Sequence, residues 1–153
     1  MISVHVDHDE AITLVKTVYA NKLNATSRGA RYSMNTRKRK FTQAFARCAK
    51  VQGNPVEGDL IIAVYHFCLP RCDWDAPIKA VQDAAEQFLA CRNDRVIKSA
   101  LTFLTRPVKG SKKRQERRPF IEVSFFGHDE FDLAIQKAEE IGRWSHSCWQ
   151  SKS

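Results

Sequence analysis

Three aspartates and a lysine share one short stretch of a chain that is otherwise rich in positive charge. The segment RCDWDAPIKAVQD, residues 71–83, holds Asp73, Asp75, Lys79 and Asp83, and Asp94 follows a little further on. Carboxylates grouped in this way suit Mg²⁺, a hard cation that takes oxygen ligands from a few carboxylates, waters and phosphate oxygens. A cation held by such carboxylates beside a phosphodiester would activate water and stabilise the charge growing on the phosphorus oxygens. Lys79 would then stand against the same phosphate. A helix of roughly 22 Å separates Asp94 from Asp73, so spacing leaves open whether Asp94 joins the first two. Acids near a helix start also have structural uses. Asp75 can cap the helix, Asp83 can pair with Lys79, and Asp73 and Asp94 can sit in turns. Spacing alone leaves both readings open.

The surrounding charge gives the acids their context. The 153 residues carry a formal net charge of +8, and the basic residues are clustered. Between Asn21 and Val56 there are nine lysines and arginines and no acid, including TRKRK at 36–40; between Arg106 and Arg118 there are seven against Glu116 alone. Such density attracts a phosphate backbone by releasing its condensed counterions. Arg37, Lys38, Arg39, Lys40, Lys112, Lys113 and Arg114 are the candidate phosphate contacts. No apolar run is long enough to cross a bilayer and no lipidation motif is present, so no membrane partner is expected. The start MISVHVDHDE lacks a secretion signal, and a cytoplasmic protein is expected. Five cysteines, Cys48, Cys68, Cys72, Cys91 and Cys148, form neither a disulfide framework nor a zinc pattern and read as reduced, buried side chains.

The elements that must position the acids follow from periodicity. AITLVKTVY (11–19) reads as a strand, and the basic stretch after it as a surface loop. A helix starts near Thr36 with Phe41, Phe45, Cys48 and Ala49 as its apolar stripe, and GNP at 53–55 stops it. GDLIIAVYHFCL (58–69) is a strand buried on both faces. A helix from Asp75 buries Ile78, Val81, Ala85, Phe88 and Leu89, and places Asp75, Lys79 and Asp83 together on another face. Residues 95–106 and 119–126 read as two strands of a long-looped hairpin. A final helix over 129–144 carries the stripe Phe131, Ile135, Ala138 and Ile141. The fold class expected is α+β: one domain over 1–153, a mixed sheet with packed helices in the order β-α-β-α-β-β-α.

At the acids the chain resembles a known family. DWDAPIKAVQDAA…ND is similar to the DxDNxxKxxxDxL…DD signature of the RusA-like Holliday-junction resolvases, and the order of elements agrees over roughly residues 11–126, leaving 127–153 as a C-terminal helical extension. The resemblance implies that Asp73, Asp75 and Asp94 are catalytic, metal-binding carboxylates, that Lys79 is the family's essential lysine and that Asp83 is a further acid of the site. It also implies a homodimer that uses Mg²⁺, with Mn²⁺ able to substitute, and nicks opposed strands of a four-way DNA junction symmetrically, in a bacterial or phage-infected cell. A two-fold enzyme matches a two-fold junction. Ala76 stands where the family has asparagine. The alternative from another class is a non-catalytic nucleic-acid-binding protein whose acids are structural.

The remaining chemistry-bearing residues read as structural. Trp74 is a packed aromatic of a strand-to-helix turn, and Trp144 and Trp149 are core, dimer or tail contacts. His5 and His8 with Asp7 and Asp9 have metal-like spacing, but a loose terminus seldom holds a site. His146 and Cys148 stand alone.

Overall fold

The computed structural model describes residues 1–7, 11, 39–58, 61–69, 76–85, 96–107 and 118–150. Its centre is a five-stranded mixed sheet built from β1 (Ile2–Asp7), β2 (Lys50–Gly53), β3 (Ile61–Cys68), β4 (Ile97–Thr105) and β5 (Phe120–Gly127), in the spatial order β2-β1-β5-β3-β4. Helix α1 covers 39–48, α2 is Ala76–Ala85 and α3 is Phe131–Gln150, entered through a 3₁₀ turn at His128–Glu130. This is the mixed α+β domain that the periodicity predicts, with three differences in the strands and one in the last helix.

The first strand is not 11–19. Ala11 is helical and fully buried, while 12–19 lie outside the described residues. The strand is ISVHVD at the N-terminus, where Ile2, Val4 and Val6 alternate inward and Ser3, His5 and Asp7 face the other way. That alternation of β-branched and polar residues is a strand signal in its own right, and two neighbours secure it. β1 pairs antiparallel with β5 over Ile2↔Phe125 to Asp7↔Phe120, and with β2 over Ile2↔Gly53 to His5↔Lys50. The terminus is therefore anchored rather than loose.

The second difference is β2. The basic helix ends at residue 48, before GNP, and Lys50–Gly53 turns outward as an edge strand. Gly53 makes the exit possible: its φ is +91°, and a Cβ there would lie 2.3 Å from the Met1 carbonyl oxygen. That oxygen accepts a hydrogen bond from the Asn54 N–H at 3.1 Å.

Third, β4 and β5 are not a hairpin. β3 lies between them, parallel to β4 over Ile61↔Ile97 to Cys68↔Thr105 and antiparallel to β5 over Ile61↔Gly127 to Cys68↔Phe120. Interior placement between two strands, with both faces covered, explains the long apolar run of β3.

Each face has its own core. On one, Phe41 and Phe45 of α1 and Val81, Ala84 and Ala85 of α2 pack on Ile2, Val4, Val6, Tyr65, Phe67, Ile121, Val123 and Phe125. Each fully buried aromatic or aliphatic side chain of this set contributes about 1.5–3 kcal/mol. On the other face, Ala134 and Ile141 of α3 pack on Val64 and Phe126. The buried stripe of α3 is thus rotated from the expected one. Phe131 and Ile135 are 55% and 37% exposed, while Ala134 takes the inward position. Cys48 is partly buried and Cys68 is buried. None of the described helices is long and apolar enough to cross a membrane.

Candidate functional site

The acids that the sequence singles out fall mostly outside the described residues: Asp73, Asp75 and Asp94 do, as do Arg37, Lys38, Lys112, Lys113 and Arg114, along with His8, Asp9 and Trp74. Their flanks are described. β3 and Leu69, buried, lead into the segment that holds Asp73 and Asp75, and α2 opens at Ala76 immediately after Asp75. β4 begins three residues after Asp94. The parallel pairing puts the end of β3 and the start of β4 at opposite ends of a ladder that runs from Ile61↔Ile97 to Cys68↔Thr105. Lys79 and Asp83 both lie on α2, one helical turn apart, and Asp83 is partly buried.

Of the expected phosphate contacts, Arg39 and Lys40 are described, as the first described residues of α1, and both are exposed. At 100° per residue, Arg39, Lys40, Gln43 and Arg47 occupy one sector about 100° wide. All four are exposed. The opposite side carries Phe41 and Phe45, stacked at 6.1 Å and buried in the core, with Ala44 and Cys48 against them. The helix forms because its apolar positions recur at helical spacing and find a sheet to cover. Its cations are the residues that this packing leaves outside. No described carboxylate forms an ion pair with Arg39, Lys40 or Arg47.

A second row lies on the α3 face of the sheet, in register across all five strands: the charged Lys50 on β2, His5 on β1 and Glu122 on β5, then His66 on β3 and Phe103 on β4. His5 Nε2 is 2.6 Å from Asp7 Oδ1 and His5 Nδ1 is 3.1 Å from Glu122 Oε2. Lys50 pairs with the other oxygen of Asp7, and Lys137 of α3 reaches Glu122 Oε1 at 2.7 Å. The result is an alternating chain: Lys50, Asp7, His5, Glu122, Lys137. A neutral imidazole has only one N–H, so two carboxylate partners require the doubly protonated ring. Phe120 stacks on His5 at 5.3 Å and meets the ring of His66 edge-on at 4.7 Å, supporting the cation with its face.

The electrostatics follow from these contacts. The hydrogen bond to Glu122 raises the His5 pKa above its usual value; burial opposes it and Asp7 assists. Burial alone would raise Glu122, but the hydrogen bonds and charges of His5 and Lys137 outweigh it and bring its carboxyl to about 2. Lys50 and then His5 hold Asp7 below the usual range against a burial effect of the opposite sign. His66, in the next strand, behaves oppositely: burial pushes it down to about 4, and its Nε2 shares a 2.8 Å hydrogen bond with Thr105. A buried neutral histidine therefore stands beside a half-buried charged one.

Chemically, this row is saturated. Both nitrogens of His5 are occupied, so it has no free lone pair to act as base or ligand. The two carboxylates approach opposite sides of the ring rather than converging on one point. Among the described residues no group of three or more His, Cys, Asp or Glu side chains could hold a metal ion. Of the metal-like spacing at the N-terminus, His5 and Asp7 are ion-paired within strand β1. Arg47, Glu122 and Lys137 escape a reading by motif. Arg47 could have been found from the i, i+4, i+8 repeat with Arg39 and Gln43; the pairing of Glu122 with His5 depends on strand register. Comparison of the chain with protein-family models, with curated proteins and with solved structures finds no match.

Proposed function

We propose that this protein is a Mg²⁺-dependent, structure-selective DNA endonuclease of the RusA-like type, acting as a homodimer on four-way junctions and related branched DNA by paired symmetric nicks. The observation that carries the reading is the segment from Asp73 to Asp94, the acidic interruption of a chain with net charge +8, set in sequence between the interior strand β3 and the parallel edge strand β4. Carboxylates inside a polyanion-attracting protein would repel the substrate unless a cation neutralised them. The donor set fits that cation: Asp73, Asp75 and Asp94 offer only hard oxygen, which suits Mg²⁺ or Mn²⁺ and not a thiophilic metal. When bound, the ion would supply Lewis-acid stabilisation and a lowered pKa for water. Lys79 would place a point charge on the phosphate, and the basic blocks would hold the backbone. Asp83, one turn from Lys79 on α2, would orient that lysine.

The decisive experiment is cleavage of a synthetic four-way junction with product ends mapped, with and without Mg²⁺. Asp75→Asn is expected to keep junction binding and lose cleavage by about 10²–10³-fold, the scale on which removal of one electrostatic group acts. Normal cutting by this variant would remove Asp75 from the site. EDTA-insensitive binding with no nicks at any metal concentration would favour the non-catalytic DNA-binding alternative.

A further inference from the structure

We propose that the solvent face of α1, formed by Arg39, Lys40, Gln43 and Arg47, is a sequence-independent rail for a nucleic-acid backbone. The proposal rests on the polyanion-binding half of the function above and not on its cleavage half. It assigns contacts to Arg47 and Gln43, which lie outside the TRKRK cluster in the sequence.

Three observations carry it. The first is geometry. From Arg39 to Arg47 the helix rises about 12 Å, which covers the axial rise of about three to four phosphates of one strand. Three cations and one amide donor within a single sector can follow such a strand without reading its bases, as contacts to phosphate generally do. The second is charge. Arg39, Lys40 and Arg47 pair with no described carboxylate, whereas Lys50, two residues beyond the helix, is paired with Asp7. The same basic block therefore contains cations left open to a partner and one already used within the fold.

The third observation selects the partner. A basic amphipathic helix can also lie on an anionic membrane, but only by sinking an apolar face into the bilayer. Here that face is taken: Phe41 is 3% exposed and Phe45 not at all, both in the core beneath the sheet. What remains outside is cationic and polar, which suits a hydrated polyanion of regular charge spacing. Charge complementarity thus favours nucleic acid over lipid.

The test measures binding of the whole protein to a fluorescently labelled DNA duplex and four-way junction in EDTA, where no cleavage occurs, from 50 to 400 mM KCl. Neutralising three contacts in Arg39→Gln/Lys40→Gln/Arg47→Gln should flatten the plot of log affinity against log salt by about 2.7, at roughly 0.9 per phosphate contact. Between 50 and 200 mM salt the wild type should therefore lose about 40-fold more affinity than the variant. The loss should be equal for unrelated DNA sequences. Lys50→Gln should keep the wild-type slope, and Arg39→Lys/Arg47→Lys should largely retain it, which separates charge from folding. A triple variant with the wild-type slope would overturn the proposal. So would wild-type protein that binds polyglutamate, or vesicles of mixed phosphatidylserine and phosphatidylcholine, as tightly as DNA at the same salt. Expected slopes from a protein that nicks nothing in Mg²⁺ would keep the rail and reject the cleavage reading alone.

Discussion

The cations on the α3 face of the sheet and those of α1 differ in what faces them. Across the sheet, Lys50, His5 and Lys137 alternate with Asp7 and Glu122, and each positive group meets a carboxylate within 3.1 Å. On α1, Arg39, Lys40 and Arg47 are exposed and pair with no described carboxylate. Both sets come from a strongly basic chain, so composition does not distinguish them. Register does: cross-strand neighbours are fixed by the pairing of β2, β1 and β5, whereas no described carboxylate pairs with the cations on the outer sector of α1. Charges answered inside the fold are read as stabilising and those left open as binding, and each half of that contrast can be tested separately.

The largest expected effect comes from removing the carboxylate in the middle of the chain. Glu122→Gln keeps the volume but leaves His5 and Lys137 as two partly buried cations without their shared anion. Breaking such a pair at one partner is costly because the remaining charge stays desolvated. A loss of about 2–3 kcal/mol is expected in urea unfolding, tempered by the partial exposure of the group. A loss below about 0.5 kcal/mol would mean that the row is ornamental and the contrast with α1 false.

Acid and alkali should pull the two histidines in opposite directions. His5 has a raised folded pKa, so its contribution is fully present below the unfolded value of 6.5 and is lost as the pH rises through the folded one. His66 is depressed to about 4 by burial. Between 6.5 and 4 the unfolded chain takes up a proton that the folded chain refuses, so stability is lost as the pH falls through that range. Each limb can slope by at most about 1.4 kcal/mol per pH unit for one proton. Stability measured by urea unfolding from pH 4 to 9 should therefore peak near neutrality. His5→Gln should flatten the alkaline limb and His66→Gln the acid limb. If both variants keep both limbs, neither histidine is in the state assigned to it.

These differences also show what a sequence can carry. The apolar run of β3, the helical spacing of Ile78, Val81 and Ala85, and the buried pair Phe41 and Phe45 are local signals, and the structure agrees with each. What was not legible is mostly non-local. His5 looked like part of a loose terminus because its partners, Glu122 and Lys50, are distant in sequence and reach it only through the antiparallel pairing on both sides of β1. The expected hairpin of β4 and β5 gives way for the same reason: the preference of neighbouring strands to pair is overridden because β3 inserts between them. On α3, Phe131 and Ile135 could form a stripe by spacing, yet the surface of β3 and β5 accepts Ala134 and Ile141 instead. Of the proposed metal site, the sequence supplies the donor types and spacing, while the described strands supply only the positions of its flanks.

The smallest expected change is the most discriminating, because the two variants compared lie three residues apart. Arg47 is exposed with no described anion beside it, so Arg47→Gln should alter stability by no more than about 0.5 kcal/mol, the ordinary range for surface substitutions. Lys50 is 69% exposed even though it pairs with Asp7, and solvent screening keeps such a pair to about 0–1 kcal/mol. Lys50→Gln should therefore cost slightly more in unfolding than Arg47→Gln. In DNA binding the order reverses: Arg47→Gln should reduce the salt slope by about one contact, while Lys50→Gln leaves it unchanged. Each variant thus serves as the other's control, since a general effect of lost positive charge would move both measurements together. If Lys50→Gln also lowers the slope, the Asp7 pair does not hold that lysine away from the backbone. The basic surface would then extend from α1 onto the edge strand β2.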